Sequence, residues 1–177
     1  CPEPVLTGGQ RLLLEHVAAV VRLTGQLKTL FNARRAWLAV ERAREVVSRC
    51  RRATSGTPVR LIPLGPRYPQ ASPVLLTYVM TGREIPCGAA PVSVGVVVID
   101  VRSLVALSEA LIRNRPLTHA TLVLTGPAAA RAGYYRVPIG ISYADLLAQT
   151  GVAPDLARVV DGGPLSGASV PSLDAVI

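Results

Sequence analysis

Apolar positions along this chain recur at two spacings, one helical and one extended. Residues 10–27 place Leu13, His16, Val17, Val20 and Val21 on one face at i, i+3, i+4 intervals, which predicts an amphipathic helix. Residues 36–40 are short and apolar, as a buried strand requires. Residues 41–52 return to the helical period, with Ala43, Val46, Val47 and Cys50 inward. Residues 57–64 alternate like a strand and are closed by Gly65 and Pro66. Residues 73–81 read as a helix with Pro at its first turn and a stop before Gly82. The β-branched run 93–100 predicts a buried strand, and residues 102–113 predict the helix after it. After Arg115 and Pro116 the style changes. Strand signals at 118–125 and 134–139 flank a Gly/Ala/Pro-rich connection. Ser142 is suited to cap a short helix, 143–150, that Gly151 ends. Residues 157–170 return to a strand signal with a Gly162-Gly163-Pro164 turn. Alternating elements predict an α/β fold, with a boundary near residue 115 and a small β-grasp unit over 116–177.

Composition narrows the classes. Of 177 residues, 50% are hydrophobic, which excludes a disordered chain. The formal net charge is +8, and all of the excess lies in residues 1–90, with thirteen basic side chains against five acidic; the remainder holds six of each. Seven arginines fall within residues 34–52 against Glu41 and Glu45. That segment is either a solvated helix face or a docking surface for an acidic partner protein, with Arg42, Arg44, Arg49 and Arg52 as the docking residues. Nucleic acid is not expected, because Trp37 is the segment's one stacking candidate and it reads as core.

Little in the sequence points to catalysis. Cys1, Cys50 and Cys87 form no CxxC motif, and their odd number without a signal peptide predicts a reducing, cytoplasmic setting. No apolar run approaches the ~20 residues of a membrane span. His16 reads as structural and His119 as solvated, neither with a carboxylate at metal-ligand spacing. GxSxG and GxGxxG are absent. No catalytic residue and no metal site is assigned.

Six short strings carry a resemblance. Cys1-Pro2-Glu3-Pro4, Tyr68-Pro69-Gln70, Thr81-Gly82-Arg83-Glu84-Ile85-Pro86, Val94-Gly95-Val96-Val97-Val98, Val137-Pro138-Ile139-Gly140 and Gly162-Gly163-Pro164-Leu165-Ser166-Gly167 occur in one family's order. The chain resembles the C subunit of the Rnf electron-transport complex and the cobalamin reductase of microcompartments, relatives of the NADH-binding flavoprotein subunit of complex I. The resemblance implies a Rossmann-like flavin domain over 1–115, then an SLBB-like β-grasp domain over 116–177. It implies FMN as cofactor, NADH-linked oxidoreductase chemistry, redox or assembly partner proteins, and a cytoplasmic, membrane-peripheral or microcompartment-associated setting. The family's Gly-rich flavin loop would lie upstream and its iron–sulfur cysteines downstream; neither occurs in these 177 residues.

The family-matching cofactor positions are Glu3, Tyr68, Asp100 and Ser103. Around them the chain departs from the pattern. Where the family has Tyr-Pro-x-Gly-Gly-Glu, this chain has Tyr68-Pro69-Gln70-Ala71-Ser72-Pro73, whose extra Cβ atoms obstruct close backbone approach. Where the family has Asn-Asn-Val-x-Thr, this chain has Ile99-Asp100-Val101-Arg102-Ser103, with two carboxamides lost and a negative charge gained. The expectation is an electron-transport-family protein whose FMN site is eroded and whose covered region acts as scaffold. Alternatives are a docking module for redox or microcompartment partners, or an SLBB module binding a small ligand through Tyr134, Arg136, Gly162 and Gly163.

Overall fold

The structure, a computed structural model, describes residues 8–177. Cys1 and Glu3, with the rest of the first string, lie outside the described residues. The chain divides into two compact units, one holding Gly9–Arg115 and the other Pro116–Ile177. The mixed α/β class expected from the pattern is the one adopted.

In the first unit, α1 (Gly8–Leu30) is followed by β1 (Ala36–Glu41), α2 (Arg44–Thr54) and β2 (Val59–Leu64). β1 and β2 pair in parallel, Ala36 opposite Val59 through Glu41 opposite Leu64, with α2 as the crossover helix packed on both. This is a βαβ unit, the arrangement a parallel pair requires. The inward stripe of α1 joins it: Leu13, Val20, Val21 and Leu23 are buried with Leu38, Val40, Val46, Cys50 and Val59. His16, expected on that face, is half-buried at a kink where φ is −121° and ψ is 19°. Burial also pushes the Cys50 thiol pKa up, which suits a core side chain and not a reactive one. Further along come α3 (Pro73–Thr81), a 3-10 turn at Pro91–Val94 and α4 (Val101–Arg113), whose Leu104 and Val105 complete the core.

The strand expected over residues 93–100 does not form. Residues 91–94 take the 3-10 turn, Gly95 adopts the left-handed conformation at φ +73°, and residues 96–100 are irregular. Two local features outweigh the β-branched run. Pro91 starts the turn, and the Gly95 N–H closes it onto the carbonyls of Pro91 and Val92. A run of this kind extends as a strand only beside a partner, and β1 and β2 pair only with each other among the described residues. Val97 and Val98 are exposed as a result.

The second unit is built on an antiparallel hairpin of β3 (His119–Leu124) and β4 (Gly133–Pro138), with Leu122 opposite Tyr135. Ser142 caps α5 (Tyr143–Thr150): its Oγ accepts from the Asp145 N–H at 3.0 Å and donates to the Asp145 carboxylate at 2.7 Å. Leu146 and Leu147 of α5 and Val137 of β4 are buried. The C-terminal residues lie along the start of α5, with the Gly140 N–H donating to the Ile177 carbonyl and the Ile177 N–H to the Ile141 carbonyl. The expected strand over 157–170 reduces to a two-residue ladder, β5 (Val160–Asp161) against β6 (Ala168–Ser169).

Arg131 ends α5 from outside. Its Nε donates to the Thr150 carbonyl at 3.0 Å, and a second guanidinium nitrogen donates to the Gln149 carbonyl. A cation on the last carbonyls of a helix satisfies groups that otherwise lack partners and complements the helix dipole. Replacing Arg131 with alanine is expected to cost about 1–2 kcal/mol. Hydrogen exchange would show it as faster loss of protection in the last turn of α5, and unchanged protection there would contradict it.

Candidate functional site

The cofactor candidates sit on loops and helix ends of the first unit. Tyr68 lies between β2 and α3, follows no regular element and is 50% exposed, with a cis bond to Pro69. A tight turn through residues 69–72 leads into α3, the Ser72 N–H donating to the Pro69 carbonyl at 2.7 Å. Ser72 is the N-cap residue of α3 but makes no side-chain cap bond, and Pro73 occupies the first turn. Pro there contributes no N–H.

Asp100 and Ser103 are brought together. Asp100 is the N-cap of α4, one carboxylate oxygen accepting from the Ser103 N–H at 2.9 Å and the other from the Ser103 hydroxyl at 3.0 Å. An Asp at this position satisfies one of the free N–H groups of the first turn and places a negative charge at the positive end of the helix. Both oxygens are therefore engaged within the helix start. The Asp-x-x-Ser spacing is the sequence signal for this cap, and it coincides with two positions that the family resemblance assigns to the cofactor.

The ligand candidates of the second unit divide in the same way. Tyr134 and Arg136 alternate with Tyr135 and Val137 along β4 and are exposed, while Val137 is buried and Tyr135 half-buried. The Tyr135 hydroxyl donates to the Arg131 carbonyl at 2.6 Å. Gly162 and Gly163 belong to the β5–β6 turn, where the Gly167 N–H donates to the Gly163 carbonyl at 2.7 Å. Gly162 has φ +99°, so the turn itself requires glycine there. The Tyr143 hydroxyl pKa is raised by burial and by its hydrogen bond to the Asp161 carboxylate.

The docking candidates Arg42, Arg44, Arg49 and Arg52 are all exposed at or along α2. Arg49 is already paired, its guanidinium 3.1 Å from the Glu45 carboxylate one turn earlier. Arg42, Arg44 and Arg52 instead line an open depression of about 480 Å³ together with Arg51, which was not among the docking residues expected from the sequence. Helical spacing identifies Arg51, since positions 44, 48 and 51 recur at i, i+4 and i+7 on one face while 45 and 49 fall beside it.

Among the described residues no cluster of His, Cys, Asp and Glu is arranged to hold a metal ion. No helix among them is long and apolar enough to cross a membrane.

Comparison with known proteins gives this geometry a context. The Nuo51 FMN-binding domain family matches residues 1–109. The whole length is similar to the C subunits of ion-translocating complexes. It is 30% identical over 99% of its residues to the C subunit of the proton-translocating ferredoxin:NAD(+) oxidoreductase complex of Clostridium ljungdahlii, of which it covers 39%. It is 33% identical over 99% of its residues to the C subunit of the ion-translocating oxidoreductase complex of Yersinia enterocolitica, covering 26% of that protein. With the corresponding protein of Erwinia tasmaniensis the identity is 30%, and 22% of that protein is covered. The chain thus spans well under half the length of these relatives. The resemblance drawn from the six strings is borne out.

Proposed function

This chain belongs to the Nuo51 FMN-binding domain family, and from that membership we propose that it is a scaffold and docking segment of an electron-transport protein of the Rnf C type, not a flavin carrier in itself. The observation that carries the reading is Asp100. The N-terminus of α4 is a place where free N–H groups favour an anion, and the Asp100 carboxylate already takes it, through Ser103. A flavin phosphate brought there would meet that negative charge. Around Tyr68, Ala71 and Ser72 carry the Cβ atoms that close approach of backbone to a flavin would exclude, and Pro73 lacks an N–H. The residues present do not fit FMN, and no chemical step is assigned through it.

In this reading residues 1–115 are the Rossmann-like flavin-domain homologue and residues 116–177 an SLBB-like β-grasp unit. Exposed Tyr134 and Arg136 on β4 are the ligand anchors of the second unit, and Gly162 and Gly163 shape its turn. The basic first unit meets an acidic partner protein, and the segment serves at the aqueous face of an ion-translocating assembly such as those its relatives are named for.

Thermal melts with and without FMN test the central point. A ligand held at a hundred times its Kd stabilises the folded state by about 2.7 kcal/mol, a shift of several degrees in Tm. The expected result is an unchanged Tm. A saturable rise with FMN concentration would sink the reading.

A further inference from the structure

The docking role of α2 extends to a defined site and chemistry, an inference that rests on the docking reading above. Four arginines, Arg42, Arg44, Arg51 and Arg52, line one open depression beside α2, together with Ala43, Val47 and Ser48. The ion pairs among the described residues are Arg11 with Glu15 and Arg49 with Glu45, so none of the four is neutralised. Glu45, the acidic side chain within α2, is occupied by Arg49 on the neighbouring stripe. Positive side chains gathered on one surface without counter-charges favour an anionic partner. The arrangement gains when anionic groups enter between them.

We propose that this depression is a carboxylate-binding cleft that takes an acidic segment of a protein partner. Guanidinium forks bind carboxylates through paired hydrogen bonds. Ala43 and Val47 give such a segment an apolar surface to cover between its carboxylates. A membrane surface is the poorer fit. The lining offers no aromatic or long aliphatic side chain to insert among lipids. Arg49 stands outside the cleft, and Arg51 inside it.

The test uses the full chain and a fluorescein-labelled peptide of Glu-Glu-Leu repeats, followed by anisotropy. Binding is expected, and it weakens as salt rises from about 0.05 M to about 0.3 M. The paired substitution Arg51→Glu with Arg52→Glu is expected to raise the peptide Kd about tenfold or more. Reversing the same amount of charge away from α2, at the exposed Arg158 and Arg115 with Arg158→Glu and Arg115→Glu, should change it by less than about threefold. If the glutamate pair lowers the melting temperature, Arg51→Gln with Arg52→Gln replaces it, with the same direction expected. Equal losses for both pairs of sites would reduce the binding to net charge and overturn the proposal. So would no peptide binding by the parent chain, or binding to phosphatidylglycerol vesicles that the Arg51/Arg52 variant loses while the peptide is ignored. The readout contains no flavin, so this test and the FMN melts can fail separately.

Discussion

Shortening Leu23 to alanine is expected to remove about 3 kcal/mol of stability from the first unit. Leu23 is 1% exposed and is the largest of the fully buried side chains. It belongs to the stripe of α1 that packs with β1, β2, α2 and α4 in one apolar cluster. Truncation there loses the transfer free energy of the removed atoms and leaves a cavity that a close-packed βαβ core closes only in part. The single tryptophan, Trp37, lies on β1 within the same unit and reports its unfolding by fluorescence. A urea titration should show a lower midpoint with an unchanged slope. Leu30, at the end of the same helix and 74% exposed, is the control; its alanine variant should stay within about 0.5 kcal/mol of the parent. Equal effects at the two positions would mean that α1 is not held by this core.

The second large effect is expected at Gly167. A Cβ placed there would lie 2.5 Å from the Gly163 carbonyl oxygen, 2.7 Å from that of Asp161 and 2.7 Å from the Val160 side chain. Two of these three neighbours are backbone and cannot rotate away. Alanine must therefore push β5 and β6 apart, at a cost of about 2 kcal/mol. The β5–β6 ladder is only two residues long. Amide exchange is the suitable probe, because the Val170 N–H donates to the Val159 carbonyl at 2.9 Å just beyond the ladder. Its protection should fall sharply in Gly167→Ala while that of β3 and β4 persists. Retained protection at Val170 would show that the turn tolerates a side chain. This requirement gives the Gly162–Gly167 string a structural origin that needs no ligand.

Local punctuation explains which elements were legible in the sequence. α3 and α5 occupy the expected residues, 73–81 and 143–150. Each has its own start and stop: Pro73 and left-handed Gly82 for one, the Ser142 cap and Gly151 for the other. Those signals act within a few residues and need no partner. The segment 93–100 lacked such independence. A β-branched run becomes a strand only beside another strand, and Pro91 and Gly95 turned this one before it could extend. The same distinction holds for the site. The stretch 34–52 was recognisable as basic, but the sequence alone did not show that Arg49 is paired with the Glu45 side chain while Arg51 lines the depression beside α2. Asp100 was legible as a charge where the family pattern has a carboxamide; its bond to Ser103 adds what that charge does for α4.

If these residues build a scaffold around a site that no longer accepts FMN, the purified chain leaves free flavin undisturbed. Titrating the chain into a fixed, low concentration of FMN and following flavin emission puts this to the test without any partner or substrate. Emission is expected to stay unquenched and unshifted up to about 100 μM chain. Saturable quenching with a Kd of about 10 μM or tighter would contradict the scaffold reading and return the chain to the flavin carriers of its family.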